Sequence, residues 1–220
     1  MTPSAAAPAP DGLILALHSS SSSLGVACAE AWPPEGGERV RCFPLGRALS
    51  TSLLHCVEEV LPAGRWPRLV RLAVATGPGG FTGTRLTVVM ARTLAQQLGC
   101  PLNGISSFLL MAHRLIAEGR SGPGPFWIRQ ELPRRGFVVG RYGCPDGGED
   151  PVELSVPHLV PLEQEAGWRD HGEPVHPFLD AVPRDVTCLL QRARRAHQGG
   201  QPAAWGPVLP IYPTSPVGGL

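Results

Sequence analysis

The stretch Leu13-Ile14-Leu15-Ala16-Leu17-His18, the five serines Ser19 to Ser23, and Leu24-Gly25-Val26-Ala27-Cys28-Ala29 together decide the reading of the chain. Two short apolar runs on either side of a hydroxyl-rich turn predict a hairpin of buried strands. Trp32 to Gly37 carries Pro-Pro and Gly-Gly and reads as a turn, and Val40 to Leu45 as a third strand. Then the period changes. Leu53, Leu54, Val57, Val60 and Leu61 recur at helical spacing behind Ser50 or Thr51 as N-cap, and Pro62-Ala63-Gly64 stops that helix. Leu69 to Ala75 is the next strand, Gly77 to Gly83 a glycine-rich turn. In the helix that follows, Leu86, Val89, Met90, Thr93, Leu94 and Gln97 read as the core face, with Gly99 at its end. Leu102 to Ile105 is a short strand, and Ser106 or Ser107 caps a helix running to about Glu118.

The order is β-β-β-α-β-α-β-α. Three meander strands followed by alternating units predict an α/β protein with an actin-like ATPase (ribonuclease H-like) fold, since a Rossmann lobe would alternate from its start. Residues 1–10 are Ala/Pro-rich and uncharged, without the basic and apolar regions of a signal peptide, and read as a disordered tail. Residues 11–118 make the N-terminal lobe. Gly119 to Pro125 has linker composition, and 119–220 is the smaller C-terminal lobe, so the fold has two lobes with mixed sheets, the second reduced. In that lobe Phe126 to Arg129, Gly136 to Tyr142 and Val152 to Val156 read as strands, and 157–183 shows no period. Val186, Leu189, Leu190 and Ala193 mark a helix of roughly 12 residues with Asp185 as its cap.

Composition narrows the chemistry. The chain has 220 residues, with 27 Gly and 25 Pro, yet 43% is hydrophobic, which suits a folded protein with Pro/Gly-rich loops. All 19 basic residues are Arg. Without lysine there is no Walker-type P-loop, Schiff base or Ser–Lys dyad. A net charge of +1 gives no global basic field for nucleic acid. The one dense cluster, Arg192, Arg194 and Arg195, suits a helix C-terminus or an RNA-phosphate contact. Six cysteines without a C-x-x-C pair read as free thiols of a reducing, cytoplasmic setting. No stretch of apolar residues is long enough to span a bilayer.

Thr76-Gly77-Pro78-Gly79-Gly80-Phe81-Thr82-Gly83-Thr84-Arg85 joins a strand to a helix. Such a turn can aim N–H groups at an anion, or let another backbone approach closely, and both readings stand on the residues alone. The spacing is wrong for a dinucleotide fingerprint, because Thr82 stands where a third Gly belongs. Phe81 at a turn tip suggests a protein contact. Thr84, Val88 and Ala91, away from the predicted core face and beside Arg85 and Arg92, would allow close helix–helix packing. The serine tip can hold a phosphate or simply be a solvated turn. His18 can be a base, a ligand or a structural histidine. His171 and His176 lack the spacing of a metal pair on one helix face, and no Ser stands in a nucleophile elbow.

These motifs resemble those of the TsaB (YeaZ) family. The resemblance is carried by Ile14 to Ser20 with Gly25-Val26-Ala27, by Gly77 to Arg85 (the family's Gly-Pro-Gly-Ser-Phe-Thr-Gly-x-Arg), by Ile105-Ser106-Ser107 and by Pro210-Ile211-Tyr212-Pro213. It implies a glycoprotease-like (M22) ancestry and an actin-like fold. It also implies a non-catalytic scaffold or dimerisation subunit in tRNA threonylcarbamoyladenosine synthesis. The implied partners are a TsaD-like transferase and, in a larger complex, a TsaE-like ATPase; tRNA would be met indirectly. Neither a catalytic residue nor a cofactor is expected on this chain, with ATP and metal on the partner subunits. The implied partner or homodimer surface is Phe81, Thr82, Gly83, Thr84, Arg85, Val88, Ala91 and Arg92. His18, Ser19 and Ser20 would be a vestigial phosphate loop. His18 stands where the family has Asp, which removes the charge that organises metal and phosphate in actin-like enzymes. The competing reading is a small actin-like ATPase or kinase acting on its own.

Overall fold

The computed structural model describes residues 12–32, 37–145, 147–148 and 150–213. The expected tail, 1–10, lies outside them. Strands β1 (Leu13–His18), β2 (Leu24–Glu30), β3 (Arg39–Phe43), β4 (Leu69–Ala75) and β5 (Leu102–Ile105) form a sheet in the order β3-β2-β1-β4-β5. The first three pair antiparallel, whereas β4 and β5 run parallel to β1. This is the meander-then-crossover order expected from the sequence. β1 is central and buried along its whole length, which is why it reads as a continuous apolar run rather than an alternating one.

Alternation along β1 assigns its two faces. Leu13, Leu15 and Leu17 point into a cluster with Leu53, Val57 and Val60 of α1 (Leu49–Val60) and Val88, Ala91 and Ala95 of α2 (Phe81–Leu98). Ile14 and Ala16 point the other way, into an alanine-rich surface completed by Ala27, Ala29, Ala73 and Ala75. The layer on that surface is α4 (Val182–Gln198), through Val186, Leu189, Leu190 and Ala193. A boundary at 118/119 groups this helix with the second lobe, yet its packing is on the first sheet, against β1, β2 and β4. Small side chains on the sheet explain the fit: a Cβ on Gly25 would come within 2.7 Å of Val182.

The helix α3 (Ser107–Ala117), capped by Ser106 accepting from Leu109 N–H, joins the two sheets. Its Phe108, Met111 and Leu115 pack on Phe126, Ile128, Val138 and Tyr142 of the second sheet. That sheet has the order β8-β7-β6-β9, from β6 (Phe126–Leu132), β7 (Gly136–Gly143), β8 (Val152–Pro161) and β9 (Val175–Pro177), and is mixed because β9 runs parallel to β6.

The structure departs from the sequence expectations at α1, which begins at Leu49 behind Ala48 and is not capped by Ser50 or Thr51, and at α4 and α2. Asp185 does not cap α4. The helix begins three residues earlier, and Asp185 is buried, accepting from Arg114 Nε at 3.1 Å. Burial outweighs that arginine and lifts its carboxyl to about 6. The buried face of α2 also differs from the expected one. Thr84, Thr87, Val88, Ala91 and Ala95 face the sheet, while Val89 is 52% exposed. The small residues are on the inside because they let the helix axis approach the sheet, and the larger Leu86, Met90 and Leu94 flank them. Thr84, Val88 and Ala91 are therefore core residues and not part of an exposed partner surface.

Candidate functional site: a glycine-rich turn and the groove beside it

The carboxyl ends of β1, β4 and β5 converge, as the parallel part of the sheet requires, and this is where ligands sit in open α/β sheets. Ser19 and Ser20 follow β1, Gly77 to Gly80 follow β4, and Ser106 and Ser107 follow β5. The serines are buried and spoken for. Ser19 Oγ pairs with Thr87 Oγ1 at 2.8 Å, and Ser20 Oγ pairs with Ser107 Oγ. Gly80 N–H donates to Ser20 O at 2.9 Å and Ser107 N–H to Gly77 O at 2.7 Å. A Cβ on Gly79 would lie 2.1 Å from Ser20 O, and one on Gly83 would lie 2.9 Å from Ser19 O. Of the two readings left open by the residues, close backbone approach describes this turn. The glycines are there because the hairpin backbone lies on them.

His18 ends β1 with no accessible surface to spare, and neither ring nitrogen has a partner among the described residues. Burial holds its pKa down at about 4, with Asp180 opposing and Arg114 assisting, so the ring is neutral at ordinary pH. The cavity nearest the turn, about 650 Å³, lies at the uncapped N-termini of α1 and α2, beside Ser21, Ser22, Arg47, Ser50 and Thr82. Among the described residues no three His, Cys, Asp or Glu side chains are grouped to hold a metal ion. His176 packs edge-on against Phe126, with ring centroids 5.5 Å apart.

The predicted surface residues Phe81, Thr82, Arg85 and Arg92 do reach the outside of α2, with Gly83 half-buried at its start. Sequence reasoning missed their companions. The segment after α4 returns as a strap along β5 and α2. Leu102 N–H donates to Ala203 O at 3.1 Å, Ile211 N–H to Thr76 O at 2.7 Å, and Arg92 Nη1 to Val208 O at 3.0 Å. Val208 fills the notch left by Gly104, where a Cβ would meet it at 2.8 Å. Tyr212 lies on Phe81, with centroids 4.8 Å apart. Between strap and helix runs a groove of about 470 Å³, floored by Val88 and Trp205. Phe81 (41% exposed), Val89 (52%), Leu209 (58%) and Tyr212 (37%) make its apolar rim. The signal available in the sequence was Leu209 and Tyr212 among prolines, apolar residues with no periodic partner of their own.

Elsewhere, a cavity of about 910 Å³ is lined by residues of α3 and α4, which also touch each other through Leu110 and the Val186/Leu190 cluster. Of the arginine cluster, Arg192 pairs with Asp150 at 2.6 Å and Arg194 with Glu38 at 3.3 Å, while Arg195 lines this cavity. All six cysteines are free thiols, four of them buried, with Cys42 exposed and Cys188 half-buried.

Sheet order, strand directions and the converging turn define an α/β protein of the actin-like (ribonuclease H-like) class, with a reduced second lobe. Within that class the chain is similar to TsaB/YeaZ proteins. It is 41% identical, over 56 residues, to the tRNA threonylcarbamoyladenosine biosynthesis protein TsaB of Bacillus subtilis (strain 168). That match covers 26% of this chain and 23% of the relative, so it spans about a quarter of either. The family described as TsaD, tRNA N6-adenosine threonylcarbamoyltransferase, matches residues 45–126. YeaZ from Pseudomonas aeruginosa superposes with a TM-score of 0.65 at 21% identity, over 91% of this chain and 99% of that one. A second Pseudomonas aeruginosa structure, described as similar to peptidase YeaZ, gives 0.67 at 18% identity, over 92% and 100%. The resemblance read from the motifs is borne out by these comparisons. No helix among the described residues is long and apolar enough to cross a membrane.

Proposed function

We propose that this chain is a non-catalytic scaffold subunit in the cytoplasmic synthesis of tRNA threonylcarbamoyladenosine, holding a TsaD-like transferase through the outer face of α2 and the strap. The observation that carries this reading is the exposed apolar row Phe81, Val89, Leu209 and Tyr212 on an ordered helix and strap. Such a row costs free energy in water and gains it in an interface. The closed turn supports the scaffold part of the reading. A phosphate entering between Ser19, Ser20 and Gly79 would have to displace backbone already hydrogen-bonded there. ATP and metal then belong to the partner subunits, a TsaE-like ATPase joins the assembly, and tRNA is met through the transferase.

The test is co-purification with the TsaD-like protein of the same organism, read by size exclusion with light scattering. A stoichiometric heteromer, lost on Phe81→Asp while the variant keeps its circular dichroism and melting temperature, is the expected result. Absence of any heteromer, with or without nucleotide and the TsaE-like ATPase, refutes the reading.

A further inference from the structure

The cavity lined by α3 and α4 lies on the face of the first sheet opposite α2, so a ligand there would leave the outer face of α2 untouched. Its volume, about 910 Å³, is that of a small-molecule site. Its walls divide by chemistry. Val40, Ile116, Pro183 and the half-buried Cys188 give an apolar side. Arg192 and Arg195 of α4 give a cationic one. These two are neighbours on one helix face, about 4.5 Å apart along its axis, where like charges repel unless an anion lies between them. The other arginines in the wall already have an acid: Arg114 meets the buried Asp185 at 3.1 Å, and Arg184 meets Glu118 at 2.5 Å. Arg192 meets Asp150 at 2.6 Å, whereas Arg195 has no ion-pair partner among the described residues. His113, only 8% exposed, also lines the cavity. Its Nδ1 lies 3.4 Å from both Arg192 Nη1 and Asp150 Oδ1, and its Nε2 is buried with no partner among the described residues.

We propose that this cavity binds an organic phosphate, a phosphate monoester whose oxygens lie among Arg192, Arg195 and His113 and whose apolar body rests on Ile116 and Pro183. The inference goes beyond the proposed function and does not rest on it. Asp150 marks the position. Its side chain is 72% exposed, yet its carboxylate reaches Arg192 and the buried histidine, and so stands where the ligand anion would. A carboxylate ligand would only exchange with Asp150 and leave Arg195 unmet. A phosphate dianion brings a second charge and a third oxygen, and can take both guanidiniums. Once Asp150 is displaced, Arg192 remains beside His113 Nδ1 and can only donate to it. Burial holds the His113 pKa down at about 4, so the ring is neutral at ordinary pH and then carries its proton on Nε2, a donor for a ligand oxygen. RNA offers the same phosphate chemistry, but as an outer backbone with no body to enter a cavity, and the concave apolar side favours the small molecule.

The experiment uses the whole chain with phenyl phosphate as the probe, and inorganic phosphate and benzyl alcohol as its two halves. Cys188, one turn of α4 from both Arg184 and Arg192, reports occupancy. Its alkylation by iodoacetamide is followed by peptide mass spectrometry, with the exposed Cys42 as internal control. Isothermal titration calorimetry reads the same binding without the thiol. Phenyl phosphate is expected to slow alkylation of Cys188 saturably and leave Cys42 unchanged, at concentrations at least about tenfold below those at which either half acts. The Arg192→Gln/Arg195→Gln variant raises the half-saturating concentration at least about tenfold, and Asp150→Asn, which removes the competing carboxylate, lowers it about threefold. Circular dichroism checks both folds. Arg195→Gln alone, at an exposed position, moves the concentration in the same direction and serves if the double variant unfolds. No saturable binding of phenyl phosphate by either readout overturns the proposal. So does benzyl alcohol binding as tightly as phenyl phosphate, or binding indifferent to loss of the arginines. Protection of Cys188 by tRNA but not by phenyl phosphate also overturns it, and assigns the arginines to an RNA backbone.

Discussion

Replacing Gly79 by alanine tests whether the glycine-rich turn is a filled contact or an open cradle. The added Cβ would sit 2.1 Å from Ser20 O, 2.5 Å from Ser20 Cβ and 2.6 Å from Ser20 Cα. Real Cβ atoms essentially never come within 3.0 Å of such neighbours, so the turn and the hairpin must part by close to an ångström. That parting removes the Gly80 N–H bond to Ser20 O and pulls Ser20 away from Ser107, whose hydroxyls are buried away from water. Loss of the buried Ser20–Ser107 bond with its unsatisfied groups, and of the Gly80 bond at the exposed edge of the turn, costs about 3 kcal/mol together. For a protein of this size that lowers the melting temperature by roughly 6–12 °C. Gly80→Ala is the matched control, because its Cβ would have only Ser21 O at 3.9 Å, an ordinary contact. Urea unfolding followed by tryptophan fluorescence, with thermal melts by circular dichroism, measures both. A Gly79→Ala protein within about 0.5 kcal/mol of wild type, the scale of ordinary surface changes, would refute the packing described for the turn. So would equal effects of the two substitutions.

Other predictions test the orientation of α2, the strap and the buried histidines. Val88→Asp places a carboxylate in the core and is expected to lose more than about 4 kcal/mol or fail to fold, whereas Val89→Asp keeps the wild-type melt and weakens only the heteromer. Equal melts for the two would reverse the helix face. Ending the chain at Ala204 removes Val208 from the Gly104 notch and the carbonyl acceptor of Arg92, and should lower the melting temperature and abolish partner binding together. Retained binding by that truncation would remove the strap from the surface. His18 and His113 are both held at about 4 mainly by burial, below their usual 6.5, so the unfolded chain binds more protons in between. Stability is then full above pH 6.5 and falls as the pH drops, by about 2 kcal/mol per histidine at pH 5. His18→Gln should flatten part of that fall in urea titrations, and an unchanged slope would show that His18 is not the group responsible.

The first sheet was legible because β1, β2 and β4 are short, apolar and punctuated by Gly, Pro and Ser, and because α1 carries one clear stripe. The face of α2 was not. Its large residues, Leu86, Met90 and Leu94, flank the contact instead of filling it, and a helix pressed close to a sheet turns its small residues inward. Periodicity weights residues by hydrophobicity and reads such a helix back to front. The placement of α4 was hidden for a related reason. Ala16, Ala27, Ala29 and Ala73 give no strong signal, yet together they make the surface on which α4 packs. β9 is three residues long, and the strap has no period, so both are fixed only by tertiary contacts. At the site, the glycines and Phe81 were visible as motif residues. Val89, Leu209 and Tyr212 acquire meaning only once the strap is laid beside the helix.

The position of α4 also sets an order of events. Ile14, Ala16, Ala27 and Ala73 have been synthesised, and the second sheet after them, before Val186, Leu189 and Leu190 exist to cover them. Until then one side of the first sheet is a bare alanine-and-isoleucine surface, open to any nascent or neighbouring chain. Synthesis of α4 allows it to be covered, and the strap that follows lies across β5 to hold Thr76 and Arg92. Such long-range closure slows folding and leaves a window for holdase chaperones. The groove for the partner is completed by residues made after α4, so a chain that presents it already contains the helix that covers this surface.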